Sequence, residues 1–187
     1  YVGALDMRLL ILDEAEQKVV GQIPLRTGIP RGTALSDDKK TLYVTTPLHS
    51  GVEVIDLASR KVVNHFVLNE GNRRVRVRGF APDPRGKVLY AIVEVVTKQI
   101  DRFEIDKPKF AVIDLAEKKI TKTFDYPKEE ASAFLSGGFK LSPDGRYLYH
   151  FRQNILVFDT SDFKLVDKIE LSRPQYPGME QINLGPG

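Results

Sequence analysis

One pattern occurs four times along this chain and constrains its fold more than any single residue does. It comprises an alternating apolar run, an Asp, a short polar stretch, a Lys five residues after the Asp, and a second alternating run. The copies read LLILDEAEQKVVGQI from Leu9, VEVIDLASRKVVNHF from Val52, FAVIDLAEKKITKTF from Phe110 and ILVFDTSDFKLVDKI from Ile155. Their aspartates, Asp13, Asp56, Asp114 and Asp159, stand 43, 58 and 45 residues apart. A second element recurs between them as TALSDDKKTLYV, FAPDPRGKVLYA and FKLSPDGRYLYH. Each unit is too small to bury both faces of its own strands, so neighbouring units must stack.

The unit around Asp56 reads as four strands. Val52–Leu57 alternates and is rich in β-branched residues; Asp56 to Lys61 reverses the chain; Val62–Leu68 returns. An Asp at the start of such a turn accepts from backbone N–H groups a few residues on, which explains why it recurs. Val75–Ala81 forms a third strand, closed by Pro82-Asp-Pro-Arg-Gly86, and Leu89–Val95 a fourth. Four antiparallel strands repeated about every 40–50 residues predict an all-β protein, a β-propeller of four-stranded blades. Val75–Ala81 is then inner strand A, Leu89–Val95 strand B, the segment from Phe110 strand C and that from Ile120 strand D. The alignment places Gly32, Gly79 and Gly138 at one point of strand A, where strands crowd the axis.

Four units are visible in a single domain, near 1–41, 42–88, 89–147 and 148–187. Tyr1-Val2 aligns with Tyr43-Val44 on strand B, and Leu184-Gly-Pro-Gly187 resembles Leu141-Ser-Pro-Asp-Gly145 after strand A. The expectation is a piece of a longer propeller of about seven blades. Composition adds little: 42% hydrophobic and 28% charged residues suit a globular protein, and no apolar run reaches the roughly 18 residues of a membrane span. The net charge of +3 is too small to argue for nucleic acid.

SPDGRYLY, the literal Tyr43-Val44-Thr45-Thr46 and VIDLA followed by Lys together resemble the YVTN family of β-propeller repeats. A narrower similarity rests on the unit from Asn72 to Asp114, whose B-to-C connection runs from Val95 to Pro108 before FAVIDLAEKK. A regular unit, then an extended one, then a compact one is the layout of the seven-bladed β chain of quinohaem amine dehydrogenases. That resemblance implies a propeller subunit in a periplasmic or extracellular setting, with the quinone and the haems carried by partner subunits. With no Cys and no Trp, this chain can build neither a Trp-derived quinone nor a Cys-x-x-Cys-His haem attachment, so no cofactor of its own is expected.

Signatures of catalysis are missing: no Gly-x-Ser-x-Gly, no Gly-x-x-x-x-Gly-Lys, no His-Glu-x-x-His. His49, His65 and His150 fall on different elements without ligand spacing. Asp38, Asp83 and Asp144 recur with the fold and read as turn residues. One stretch breaks the repeat. In Asn72-Arg73-Arg74-Val75-Arg76-Val77-Arg78, strand alternation sets Arg74, Arg76 and Arg78 on one side and Val75 and Val77 on the other. Arg31 aligns with Arg78. These arginines either pair with carboxylates of an adjacent blade or contact an anion or partner. D-to-A and B-to-C connections emerge at the same end of a blade, so the Arg run and the 92–109 insertion should project together.

The sequence thus predicts a non-catalytic scaffold or a protein- or ligand-binding module. Its binding residues are expected among Arg31, Arg73, Arg74, Arg76, Arg78, Gln99, Arg102 and Phe103. The alternative is a propeller subunit of a quinohaem amine-dehydrogenase-type redox complex.

Overall fold

A computed structural model describes residues 1–46, 50–131 and 137–171. Its strands form four antiparallel sheets, and among the described residues the only helical element is one 3-10 turn at Lys128–Glu130. Sheet 1 holds β1 (Val2–Ala4), β2 (Arg8–Asp13) and β3 (Lys18–Pro24), in the B, C and D places of a blade. Sheet 2 holds β4 (Gly32–Leu35), β5 (Thr41–Thr46), β6 (Gly51–Asp56) and β7 (Lys61–Val67). Sheet 3 holds β8 (Arg73–Pro82), β9 (Val88–Lys98), β10 (Phe103–Ile105), β11 (Lys109–Asp114) and β12 (Lys119–Asp125). Sheet 4 holds β13 (Gly138–Leu141), β14 (Tyr147–Phe151), β15 (Ile155–Asp159) and β16 (Leu165–Ile169).

The recurring Asp does in every sheet what its place before the turn requires. Asp13 Oδ1 accepts from the N–H groups of Ala15 and Glu16, and Asp114 Oδ1 from those of Ala116 and Glu117. Asp56 and Asp159 accept from both the N–H and the hydroxyl of Ser59 and Ser161. The chain then passes through a left-handed residue just before the Lys: Gln17, Arg60, Lys118 and Phe163 have φ of 49°, 55°, 59° and 54°. A β-bulge follows at the same point of each returning strand, where Val20, Val63, Thr121 and Val166 are the extra residues of the ladder. The Ser-Pro-Asp-Gly turns close in a similar way, with Asp38 and Asp144 accepting from Ser36 and Ser142 at 2.6 and 2.5 Å. Asp83 stands in the Ser place of its turn and accepts from the Arg85 N–H at 3.2 Å.

Three apolar cores lie between successive sheets. Leu9, Ile11 and Ile23 of sheet 1 meet Leu42, Val44 and Ile55 of sheet 2. Tyr43, Val52 and Phe66 of sheet 2 meet Val75, Phe80, Val93 and Ile113 of sheet 3. Ile92 and Phe110 of sheet 3 meet Leu148, Leu156, Phe158 and Phe163 of sheet 4. Strand C of sheet 3 is apolar on both faces because sheets 2 and 4 cover it, whereas Leu12 on strand C of sheet 1 is 42% exposed on the face away from sheet 2. Burying each large side chain stabilises by about 1.5–3 kcal/mol. Inner strands β4 and β13 both touch β8, whereas β3 meets β7 at the outer side. This is blade-on-blade packing around an axis.

Candidate binding face

Sheet 3 departs from its neighbours at one end. β4 begins at Gly32, whereas β8 begins six residues before the equivalent Gly79, and β9 continues five residues past Val93, the last residue that pairs with β11. The extra length pairs with itself: Arg73 lies opposite Thr97, Arg74 opposite Val96 and Arg76 opposite Glu94. β10 then folds back on the other edge of β9, with Phe103 opposite Lys98 and Ile105 opposite Val96. Gln99 N–H donates to the Arg102 carbonyl at 2.8 Å and closes the hairpin. Asn72 Nδ2 donates to the Lys98 carbonyl at 3.2 Å, and Arg73 reaches Asp106 at 3.9 Å. The Arg run and the 92–109 insertion are thus one three-stranded extension.

Directly opposed residues on neighbouring strands share a face. Arg74, Arg76, Glu94, Val96, Lys98, Phe103 and Ile105 therefore lie on one side of the extension. Arg73, Val75, Thr97, Glu104 and Asp106 lie on the other. Phe103 and Ile105 are 64% and 55% exposed, and Ile100 at the turn is fully exposed. Gln99 Nε2 donates to Glu104, and Arg102 pairs with its neighbour Asp101 at 3.7 Å.

The expectation that Arg78 shares the face of Arg74 and Arg76 is corrected here. A bulge between Val77 and Gly79 leaves Arg78 as the extra residue of the ladder. The side-chain parity flips there, so that Phe80 joins Val75 in the core against sheet 2. Arg78, released from the regular ladder, donates through Nε and Nη2 to Glu94 Oε2 at 2.7 and 2.6 Å. Its carboxylate partner is on its own sheet and not on an adjacent blade. Arg31 sits on sheet 2, exposed at the start of β4, its N–H donating to the Thr45 carbonyl. It is not part of the extension.

Two buried polar groups escaped the sequence reading. Glu53 on β6 is wholly buried; its Oε1 accepts from the Arg26 N–H, the Thr27 N–H and the Thr27 hydroxyl at 2.6–2.8 Å. It fastens the β3–β4 connection to sheet 2 beside a shallow cleft of about 440 Å3 lined by Met7, Arg26, Thr27, His65, Phe66 and Val67. The available signal was a single Glu in strand C, where the other units carry Leu10, Ala111 and Leu156.

His150 is wholly buried, stacked on Phe139 with centroids 4.2 Å apart, its Nδ1 3.1 Å from the Tyr126 hydroxyl. Burial, aided by the Arg152 charge, lowers its pKa to about 3, so it is neutral. Burial likewise raises the Tyr126 phenol. His65 is exposed on β7, and His49 lies outside the described residues. Among the described residues no three His, Cys, Asp or Glu side chains are grouped to hold a metal, and no helix is long and apolar enough to cross a membrane.

Fold and extension together define an all-β protein of propeller type, built from antiparallel blades, one of which is elaborated at a single end. No protein-family model matches the sequence, and no curated protein does. Among solved structures, the chain is similar to hydrazine synthase of Kuenenia stuttgartiensis, at 18% sequence identity and a TM-score of 0.55. The match covers 88% of this chain and 43% of that one, less than half its length. At that identity the likeness concerns the fold.

Proposed function

We propose that this protein is a non-catalytic β-propeller module of YVTN type that binds a protein partner through the extension of sheet 3. One observation carries the reading. The extension is the place where the repeat is broken by added length, and the added length presents Ile100, Phe103 and Ile105 to solvent. Exposed apolar groups held on a rigid sheet and rimmed by charge are characteristic of interaction sites. The arginines fit it: Arg74 and Arg76 have no carboxylate partner among the described residues, which leaves their charge open to an acidic partner.

Deleting 95–106 and closing β9 onto β11 with a turn as short as that between β5 and β6 tests this reading. The truncated protein should keep its β-sheet circular dichroism and lose capture of its partner from the source cells. Retained capture would place the binding face elsewhere.

A second reading is the propeller subunit of a periplasmic redox complex of the quinohaem amine-dehydrogenase type. It is supported by the order of a regular sheet 2, an extended sheet 3 and a compact sheet 4. Captured subunits carrying haem and a quinone would favour it; capture of other proteins alone would oppose it.

A further inference from the structure

The ladder between β9 and β10 fixes which backbone groups of β10 face outward. Gln99 N–H donates to the Arg102 carbonyl and Asp106 N–H to the Val95 carbonyl. In an antiparallel pair, hydrogen-bonded and non-hydrogen-bonded residue pairs alternate. Glu104 therefore exchanges its bonds with Thr97, while the N–H and C=O groups of Phe103 and Ile105 point away from β9. β10 ends its sheet on that side. Among the described residues its outer edge thus carries two residues whose backbone groups have no partner, together with the exposed side chains of Phe103 and Ile105. Natural edges are blunted by short length, charged side chains, Pro or a bulge; β10 is short, but it carries no Pro and no bulge, and its one charge, Glu104, lies on the face away from Phe103 and Ile105.

Charge is sorted between the two faces. Glu104 and Asp106 lie on the far face, where Gln99 and Arg73 contact them. On the Phe103 face, Lys98 lies opposite Phe103, and Arg74 is in line with Val96 and Ile105. The carboxylate on that face, Glu94, is taken by Arg78. The Phe103 face is therefore apolar with cations beside it.

Resting on the binding reading above, we infer that the occupant of this face is an extended segment of the partner protein. It pairs in β fashion with the free edge of β10, turns two apolar side chains toward Phe103 and Ile105, and flanks them with acidic residues. Backbone pairing supplies affinity, and the alternate side chains supply the choice of partner. An anionic membrane would also meet cations and an apolar tip. It would leave the outward N–H and C=O groups of Phe103 and Ile105 unpaired and bring Asp101 and Glu104 against like charge.

The test uses fluorescein-labelled peptides on the full chain at low salt, read by anisotropy. ETVTITE places Glu, Val, Ile and Glu on one face; KTVTITK replaces only the charges. Two N-methylated forms of ETVTITE block the donors of one edge or the other. ETVTITE should bind at least about tenfold tighter than KTVTITK, and weaken as salt screens the pair. At least one N-methylated form should lose tenfold or more. The double variant F103S/I105S should also lose binding, with its circular dichroism unchanged.

Equal binding of the two charge forms, undiminished binding of both N-methylated forms, or no binding of ETVTITE would overturn the inference. So would binding of phosphatidylserine vesicles that the double variant abolishes. Self-association of the chain through β10 would make a second copy the occupant and overturn it likewise. Failure of the peptides while truncation of 95–106 still abolishes capture would remove the strand-pairing mode and leave the binding face standing.

Discussion

Gly79 lies directly beneath the ring of Phe139, and a Cβ added to it would stand 2.0 Å from the ring's Cε2. The same relation joins Gly32 to Phe80, at 3.2 Å from that ring. Gly32 and Gly79 thus each receive the aromatic residue that follows the glycine of the next blade. Phe139 has no room to retreat, because His150 stacks on it.

Gly79→Ala should therefore overpack the junction of sheets 3 and 4. A loss of about 1–3 kcal/mol is expected, read as a lower urea midpoint at unchanged slope. Gly138→Ala is the control: its new methyl would meet nothing closer than Phe151 at 3.8 Å. It should stay within about 0.5 kcal/mol of the parent. Equal losses at the two glycines would show that the ring of Phe139 is not what excludes a side chain.

The four left-handed turn residues offer a second comparison, because the backbone is the same and the surroundings are not. Lys118 is exposed, and a left-handed φ disfavours its side chain. Lys118→Gly should stabilise by about 0.5–1 kcal/mol, after the entropy cost of glycine. Phe163 adopts the same φ yet is 2% exposed and stacks on Phe110 with centroids 4.6 Å apart. Phe163→Gly should cost about 3–5 kcal/mol, since the lost packing exceeds any backbone relief. Thermal melts of the two variants should move in opposite directions.

The buried imidazole predicts a pH dependence. His150 has a folded pKa of about 3 against an ordinary 6.5. The unfolded chain therefore takes up the proton first. Its contribution to stability is complete above pH 6.5 and is lost progressively as pH falls from 6.5 toward 3. One proton corresponds to about 1.4 kcal/mol per pH unit in that window. The turn carboxylates Asp38, Asp56, Asp144 and Asp159 do not interfere, because their hydrogen bonds hold them below the ordinary 3.8. Between pH 7.5 and 5 the parent should lose about 2 kcal/mol more than His150→Leu. Parallel pH profiles would mean that His150 is protonated in place or reaches water.

What was legible beforehand were the features that repeat. The Asp-to-Lys turn, the four-strand unit and the inner-strand glycines each occur several times, and repetition separates a fold requirement from an accident of one residue. The joint projection of the Arg run and the 92–109 insertion followed from blade topology alone. The bulge at Arg78 did not, because alternation continues through Val77 and nothing local marks the residue that drops out of the ladder. The burial of Glu53 was equally hidden. Its three donors come from Arg26 and Thr27, more than 25 residues away along the chain, and no spacing rule connects them. The outward edge of Phe103 and Ile105 depends on ladder phase, which composition does not encode.

Arg78 and Arg74, four residues apart on β8, should separate structure from binding. Glu94 is 9% exposed and takes both donors of Arg78 on one oxygen. Arg78→Ala leaves that carboxylate nearly buried without its cation, but the Arg78 side chain is 42% exposed, so solvent screens part of the pair. A loss of about 1–2 kcal/mol is expected, below the 3–5 kcal/mol of a fully buried pair. Glu94→Gln should cost less, since no charge is then stranded and the amide oxygen still accepts from Arg78. Arg74 is exposed and has no carboxylate partner among the described residues, so Arg74→Ala should change stability by less than about 0.5 kcal/mol. Its effect should instead appear as weaker capture of the partner and a shallower dependence of capture on salt. A large loss of stability in Arg74→Ala with capture intact would assign the Arg run to the scaffold and remove it from the binding face.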